Sequence, residues 1–197
     1  MTPAQIRDIQ AFFGQRAAPW EERFPDDDPA FERAVGELRP AHGGLVLDAG
    51  CGTGRAIPFL QAAIGPSGRV VGLDVTPEML VEVRRHGRSA ELVLADGGRM
   101  PFRVGAFDAI LAAGFLPHLD PAEAGLAELA RVTKPGGRLA IFHPIGRATL
   151  AARHGGTPSD EDASSPVRLP RLLANAGWRL DSLDDGAGRY LALAVRA

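Results

Sequence analysis

The sequence predicts an α/β domain, a doubly wound sandwich around a mostly parallel seven-stranded sheet, closed by an antiparallel carboxyl-terminal hairpin and extended by amino-terminal helices. From Leu45 onward, short apolar runs alternate with helix-period stretches. Val70-Val71-Gly72-Leu73 and Ala109-Ile110-Leu111-Ala112 are apolar without a break, as strands covered on both faces must be. The last two runs are joined by Asp184-Asp185-Gly186, a turn signal that suits only an antiparallel pair. At 197 residues, 45% hydrophobic and 23% charged, the chain can bury a full core in one domain.

Taken in order, residues 1–40 read as a helical layer on a domain spanning 41–197. Ile6, Ile9, Phe12 and Phe13 share one face at helical spacing, and five of the twelve aromatics (Phe12, Phe13, Trp20, Phe24 and Phe31) fall in this layer. The face serves equally for packing on the core or for covering a substrate. Asp26-Asp27-Asp28, between two prolines, reads as a solvated turn. Strands are expected at 45–49, 69–74, 90–95, 107–113 and 138–143. Helices are expected at about 54–63, 77–86 and 121–133. Pro58 is tolerable only in an opening turn, so the first of these helices starts near Gly54 or Arg55. Thr76 is placed to cap the second. Asp120-Pro121 with Glu123 opens the third, and Lys134-Pro135-Gly136-Gly137 ends it. A loop at 157–165, expected to be mobile, precedes a last helix at 166–176 and strands at 178–183 and 189–195.

Composition excludes several function classes. Cys51 is the single cysteine, so neither a disulfide framework nor a Cys/His metal centre is expected, and no metal is assigned. No stretch reaches the roughly 18 apolar residues that cross a bilayer, and the first residues lack a leader pattern, which points to a cytoplasmic protein without a membrane partner. A formal charge of −2 lacks the basic excess that binding a phosphate backbone demands, so no nucleic-acid partner is expected.

The chemistry concentrates where the first strand runs into Asp48-Ala49-Gly50-Cys51-Gly52-Thr53-Gly54-Arg55. Glycines at 50, 52 and 54 clear the backbone for close approach or for left-handed φ. A dinucleotide loop reads G-x-G-x-x-G, and here position 55 is Arg. Asp48 just before the loop would repel a pyrophosphate, whereas it suits a cationic ligand such as an ammonium or sulfonium.

Leu47-Asp48-x-Gly50-x-Gly52-x-Gly54 resembles the first motif of class I S-adenosylmethionine-dependent methyltransferases, and the similarity runs over about residues 44–143 and on toward the end. That resemblance implies a Rossmann-like fold and S-adenosylmethionine as cofactor. It places Asp74, 20 residues after Gly54, on the ribose hydroxyls, and Asp96 with Gly97 on the adenine. Cys51, Val75, Ala113 and Gly114 complete the implied cofactor contacts, Cys51 through its backbone with the thiol packed beneath. Cap and turn roles for Asp74 and Asp96-Gly97 are the structural alternatives. Arg131 to Leu139 resembles a structural connection in the family and is assigned no chemistry.

Acceptor identity should be written at the end of the fourth strand, Ala112-Ala113-Gly114-Phe115-Leu116-Pro117-His118. It lacks the residue sets that family members use on nucleobases, guanidinium groups or catechols, which leaves a small-molecule substrate, with proteins second. His118 is the candidate base or a backbone-bonded loop histidine, and His143 opens on the same cleft in a catalytic or substrate role. Arg147, Arg153 and His154 either cover an anionic substrate or form a solvated helical turn. With only Pro144 to Ser165 between the fifth strand and the last helix, the pocket must be finished by the amino-terminal helices or by a second copy in a homodimer. The reading is a small-molecule O-, N- or C-methyltransferase. Its alternatives are a noncatalytic cofactor-binding module and, third, a nicotinamide oxidoreductase.

Overall fold

The computed structural model describes residues 1–23 and 27–197. It contains strands β1 (Leu45–Ala49), β2 (Arg69–Asp74), β3 (Glu91–Leu94), β4 (Phe107–Ala113), β5 (Thr133–His143), β6 (Trp178–Gly186) and β7 (Arg189–Arg196). They form one sheet in the order β3-β2-β1-β4-β5-β7-β6. The first five are parallel, and β7 runs antiparallel between β5 and β6. The order reverses between β1 and β4, so the carboxyl ends of these two strands open a crevice at the switch point.

Helices α1 (Pro3–Gly14) and α2 (Asp28–Leu38) precede the sheet, and α3 (Ile57–Ile64), α4 (Pro77–Arg85), α5 (Ala122–Val132), α6 (Arg147–Arg153) and α7 (Leu169–Asn175) lie between or after its strands. Alternation along β1 shows why both faces need cover. Leu47 and Ala49 join a core with α5 and α7, while Val46 joins one with α2, α3 and α4. Leu126, Leu129 and Leu173 fill the first core, and Ala34, Leu38, Leu60 and Val83 fill the second.

Several boundaries depart from expectation for physical reasons. Helix α3 starts at Ile57 rather than near Gly54, because left-handed φ at Gly52 (54°) and Gly54 (83°) cannot continue into a helix. Strand β5 begins at Thr133, so 134–137 is an offset within the strand rather than a stop: Phe107 pairs with Thr133, then Ala109 with Arg138. Thr76 stands at the N-cap of α4, but its side chain makes no capping bond; Asp74 Oδ1 accepts the Thr76 amide at 2.8 Å instead. Pro121 takes the cap position of α5, and the Asp120 carboxylate accepts a bond from Gln5 Nε2 at 2.7 Å. Asp184-Asp185-Gly186 is not the turn. Pairing continues to Gly186 opposite Arg189, whose Nε donates to Asp184 Oδ2 at 2.7 Å, and Ala187-Gly188 closes the hairpin.

The loop at 157–165 is irregular but tied down. Arg147 Nη2 donates to the Ser159 carbonyl and to Asp162, and Tyr190 Oη donates to the Ser164 carbonyl at 2.8 Å. Where a solvated turn was expected at 26–28, Asp27 and Asp28, at the start of α2, both pair with Arg55, and Asp28 remains exposed. Asp26, with Phe24, lies outside the described residues.

Candidate functional site

Strands β1, β2, β3 and β4 deliver four segments to one edge of the sheet. The loop after β1 carries left-handed φ at Gly50 (68°), Gly52 and Gly54. Its amides are held by β2: Cys51 N donates to the Leu73 carbonyl at 2.9 Å, and Gly52 N to Asp74 Oδ2 at 2.8 Å. A Cβ placed on Gly52 would meet nothing within 4 Å, so the loop turns its bare backbone toward open space at that point. Cys51 Sγ lies beneath, against Gly72 of β2, and burial pushes its pKa well up, so the thiol is a packing group.

Asp48 is 1% exposed, and its Oδ2 has no hydrogen-bond partner among the described residues. Burial, followed by the neighbouring Asp74 carboxylate, pushes its pKa up to about 7. An orphaned buried carboxylate at the root of a glycine loop is a ready counter-charge for a cation. Asp74 is itself raised by burial, against which the Thr76 and Gly52 amides favour its ionised form. Each of its oxygens already accepts one backbone amide, so a ribose would have to use the remaining lone pairs.

After β3, Asp96 Oδ1 accepts the Gly98 amide at 2.7 Å, as its turn-forming alternative requires, and Oδ2 accepts the Met1 ammonium at 3.0 Å. Helix α1 lies across the same edge. Gln10 Nε2 donates to the Val75 carbonyl at 2.8 Å, and Phe13 meets the His118 ring edge-on at 5.1 Å.

At the end of β4, Ala113 pairs with Phe142 and Gly114 turns at φ 62° with its amide on the Phe142 carbonyl. Phe115 then folds its ring under the site. A Cβ on Gly50 would come 2.5 Å from this ring, and one on Gly97 would come 2.2 Å from its tip, so one buried aromatic ring joins the first landmark to the third. Sequence reasoning missed Phe115, because nothing local distinguishes it from any other apolar residue after a strand.

His118 lies on a short 3-10 turn, Leu116–His118, and its ring meets that of Phe13. His143 ends β5 with Nδ1 bonded to the Ile145 backbone. Burial lowers the pKa of both imidazoles, and at His143 the Arg153 and His154 charges add to that, against the Ile145 bond and Asp27. The shift favours the neutral imidazole, the form that accepts a proton. The structure thus gathers Asp48, Gly50, Gly52, Asp74, Val75, Asp96, Gly97 and Gly114 along one edge, with the two histidines at the ends of adjacent strands. Arg147 is held by Asp162 and Asp185.

Comparison with known proteins bears on this edge directly. Residues 47–141 match the family model described as a methyltransferase domain. A demethylmenaquinone methyltransferase of Beutenbergia cavernae is 39% identical over 100 residues, covering 50% of this chain and 40% of its own. A ubiquinone/menaquinone biosynthesis C-methyltransferase of Burkholderia mallei is 36% identical over 121 residues, 57% of this chain and 47% of its own. The chain thus spans less than half the length of these curated relatives. Among solved structures, a SAM dependent methyltransferase from Aquifex aeolicus superposes over 100% of both chains with a TM-score of 0.72 and 25% identity. Together with the sheet order, these matches make residues 47–141, just under half of the chain, similar to the methyltransferase domain family.

Proposed function

We propose that this chain is an S-adenosylmethionine-dependent methyltransferase acting on a small-molecule acceptor. The observation that carries the proposal is the buried Asp48 carboxylate, with its Oδ2 unpartnered among the described residues, at the root of the loop whose Gly52 faces open space, because that combination fits a ligand presenting positive charge to bare main chain. When bound, the cofactor supplies a methyl group on a positively charged sulfur. Asp48 gives that charge a partner and becomes ionised by it. Asp74 would hold the sugar while still fixing the Gly52 amide, and Asp96 with the Gly97 backbone would hold the base in place of the bond to Met1. Val75 just after β2 and Ala113 with Gly114 at the end of β4 would complete the contacts.

Acceptor chemistry falls to the carboxyl ends of β4 and β5. Methyl transfer is in-line displacement, so most of the catalytic effect is orientation of the nucleophile, for which positioning supplies roughly 7 to 11 kcal/mol. His118 and His143 are the groups able to take a proton from an acceptor that keeps one. The quinone-related names of the relatives make a ring carbon or its hydroxyl the first acceptor class to assay. Calorimetric titration tests the cofactor half of the proposal: S-adenosylmethionine and S-adenosylhomocysteine should bind and NADH should not. Binding of NADH alone would overturn it in favour of an oxidoreductase.

A further inference from the structure

Glu21, Thr53 and Arg88 come from parts of the chain that no sequence pattern connects: the turn after α1, the glycine loop and the segment after α4. Thr53 Oγ1 donates to Glu21 Oε1 at 2.8 Å, and Arg88 Nη2 donates to Glu21 Oε2 at 2.9 Å. Arg88 Nη1 donates to Glu21 Oε1 and, at 2.7 Å, to the Thr53 carbonyl. One guanidinium and one carboxylate thus grip a single loop residue by both its side chain and its backbone. His86 Nε2 adds a contact at 3.5 Å to the same carboxylate. Burial alone would raise the Glu21 pKa, but Arg88 and Thr53 outweigh it and hold it below the usual carboxylate range.

A second grip lies two residues along. Arg55 Nη1 donates to Asp27 Oδ2 at 3.2 Å and Nη2 to Asp28 Oδ1 at 2.8 Å, with the guanidinium carbon 5.4 Å from the Phe31 ring centroid. Residues on both sides of Gly54 are therefore held from the amino-terminal segment. A loop with three glycines has much backbone freedom to lose, and it binds a ligand well only if that loss is met before the ligand arrives.

We propose that Glu21, acting through Thr53 and Arg88, is a positioning residue of the cofactor loop, so that cofactor affinity is set partly by a segment outside the 47–141 methyltransferase domain. This rests on the reading of that loop as the S-adenosylmethionine site.

The test titrates S-adenosylhomocysteine into the full chain and into Glu21→Gln, Thr53→Val, Thr53→Ser and the Glu21→Gln/Thr53→Val double variant, with melting of each in the absence of ligand. Glu21→Gln and Thr53→Val should each weaken binding about fivefold or more, and the double variant should be no worse than about twofold beyond the weaker single, since both break one linkage. Thr53→Ser, which keeps the hydroxyl, should stay within about twofold of the parent. Affinities of Glu21→Gln and Thr53→Val within about twofold of the parent, whether or not melting falls, would overturn the proposal, as would fully multiplicative losses. If Thr53→Val does not fold, Arg88→Lys, which keeps the charge but not the fork, replaces it with the same expectation. Failure of the parent itself to bind would count against the proposed function instead.

Discussion

Two amino-terminal helices of similar length, α1 and α2, do opposite work. Helix α2 buries Ala30, Phe31, Ala34, Val35 and Leu38 against the sheet, although no side chain caps its start. Helix α1 buries none of its residues completely, yet it has a full capping box, with Thr2 and Gln5 exchanging bonds with each other's backbone. What α1 has in place of burial is contact with the site, through Gln10 on Val75, Gln5 on Asp120 and Phe13 on His118. A helix held by local caps and a few polar contacts can open at low cost, whereas a helix whose face is core cannot. The helical layer read across 1–40 therefore divides: α2 packs on the core, and α1, which carries the stripe of Ile6, Ile9, Phe12 and Phe13, lies against the site without being fully buried.

Substitutions can break this contrast, and the largest effect belongs to α2. Leu38→Ala, at a position 0% exposed, should cost about 3 kcal/mol in urea unfolding, through lost burial and the cavity left behind. A loss under about 1 kcal/mol would mean that α2 is peripheral too. Phe13→Ala should cost only about 1 kcal/mol in the same assay, while S-adenosylhomocysteine dissociates several-fold faster in stopped flow. An unchanged dissociation rate would remove the cover role of α1. Thr2→Ala, which breaks the capping box, should be the mildest, at about 0.5 to 1 kcal/mol of helix stability, read as faster amide exchange confined to α1.

The parts of the fold legible in the sequence were those written by burial. Strands β1, β2 and β4 fall where continuous apolar runs place them, because a strand covered on both faces leaves no freedom in its composition. What was not legible depends on partners distant along the chain. Asp184 and Asp185 form a turn by local propensity, and pairing with β7 and Arg189 overrides it. The acidic run ending at Asp28 looked solvated because Arg55, 27 residues on, carries no sequence mark of being its partner. Within the site, the glycine loop and Asp48 were readable from type and spacing, and Asp74 from the family resemblance. Phe115 and the Glu21–Arg88–Thr53 linkage were not, since a ring beneath two glycines and a carboxylate shared by two donors exist only in three dimensions.

Asp48 separates the demands of fold and site most sharply. Its folded pKa lies above its unfolded value, so between about pH 4 and pH 7 the native state holds a proton that the unfolded chain has lost, and stability falls as pH rises through that window. Asp48→Asn should therefore stabilise the ligand-free protein at pH 8, by up to about 4 kcal/mol, while weakening cofactor binding.

The most direct measurement is calorimetric titration of S-adenosylmethionine into the parent and Asp48→Asn from pH 6 to pH 8. If the buried carboxylate recognises the cation, parent affinity climbs as pH rises toward 7, where ionisation no longer opposes binding, and the Asn variant binds at least about tenfold more weakly with a flatter profile. Equal affinities for the two proteins across the whole range would contradict it.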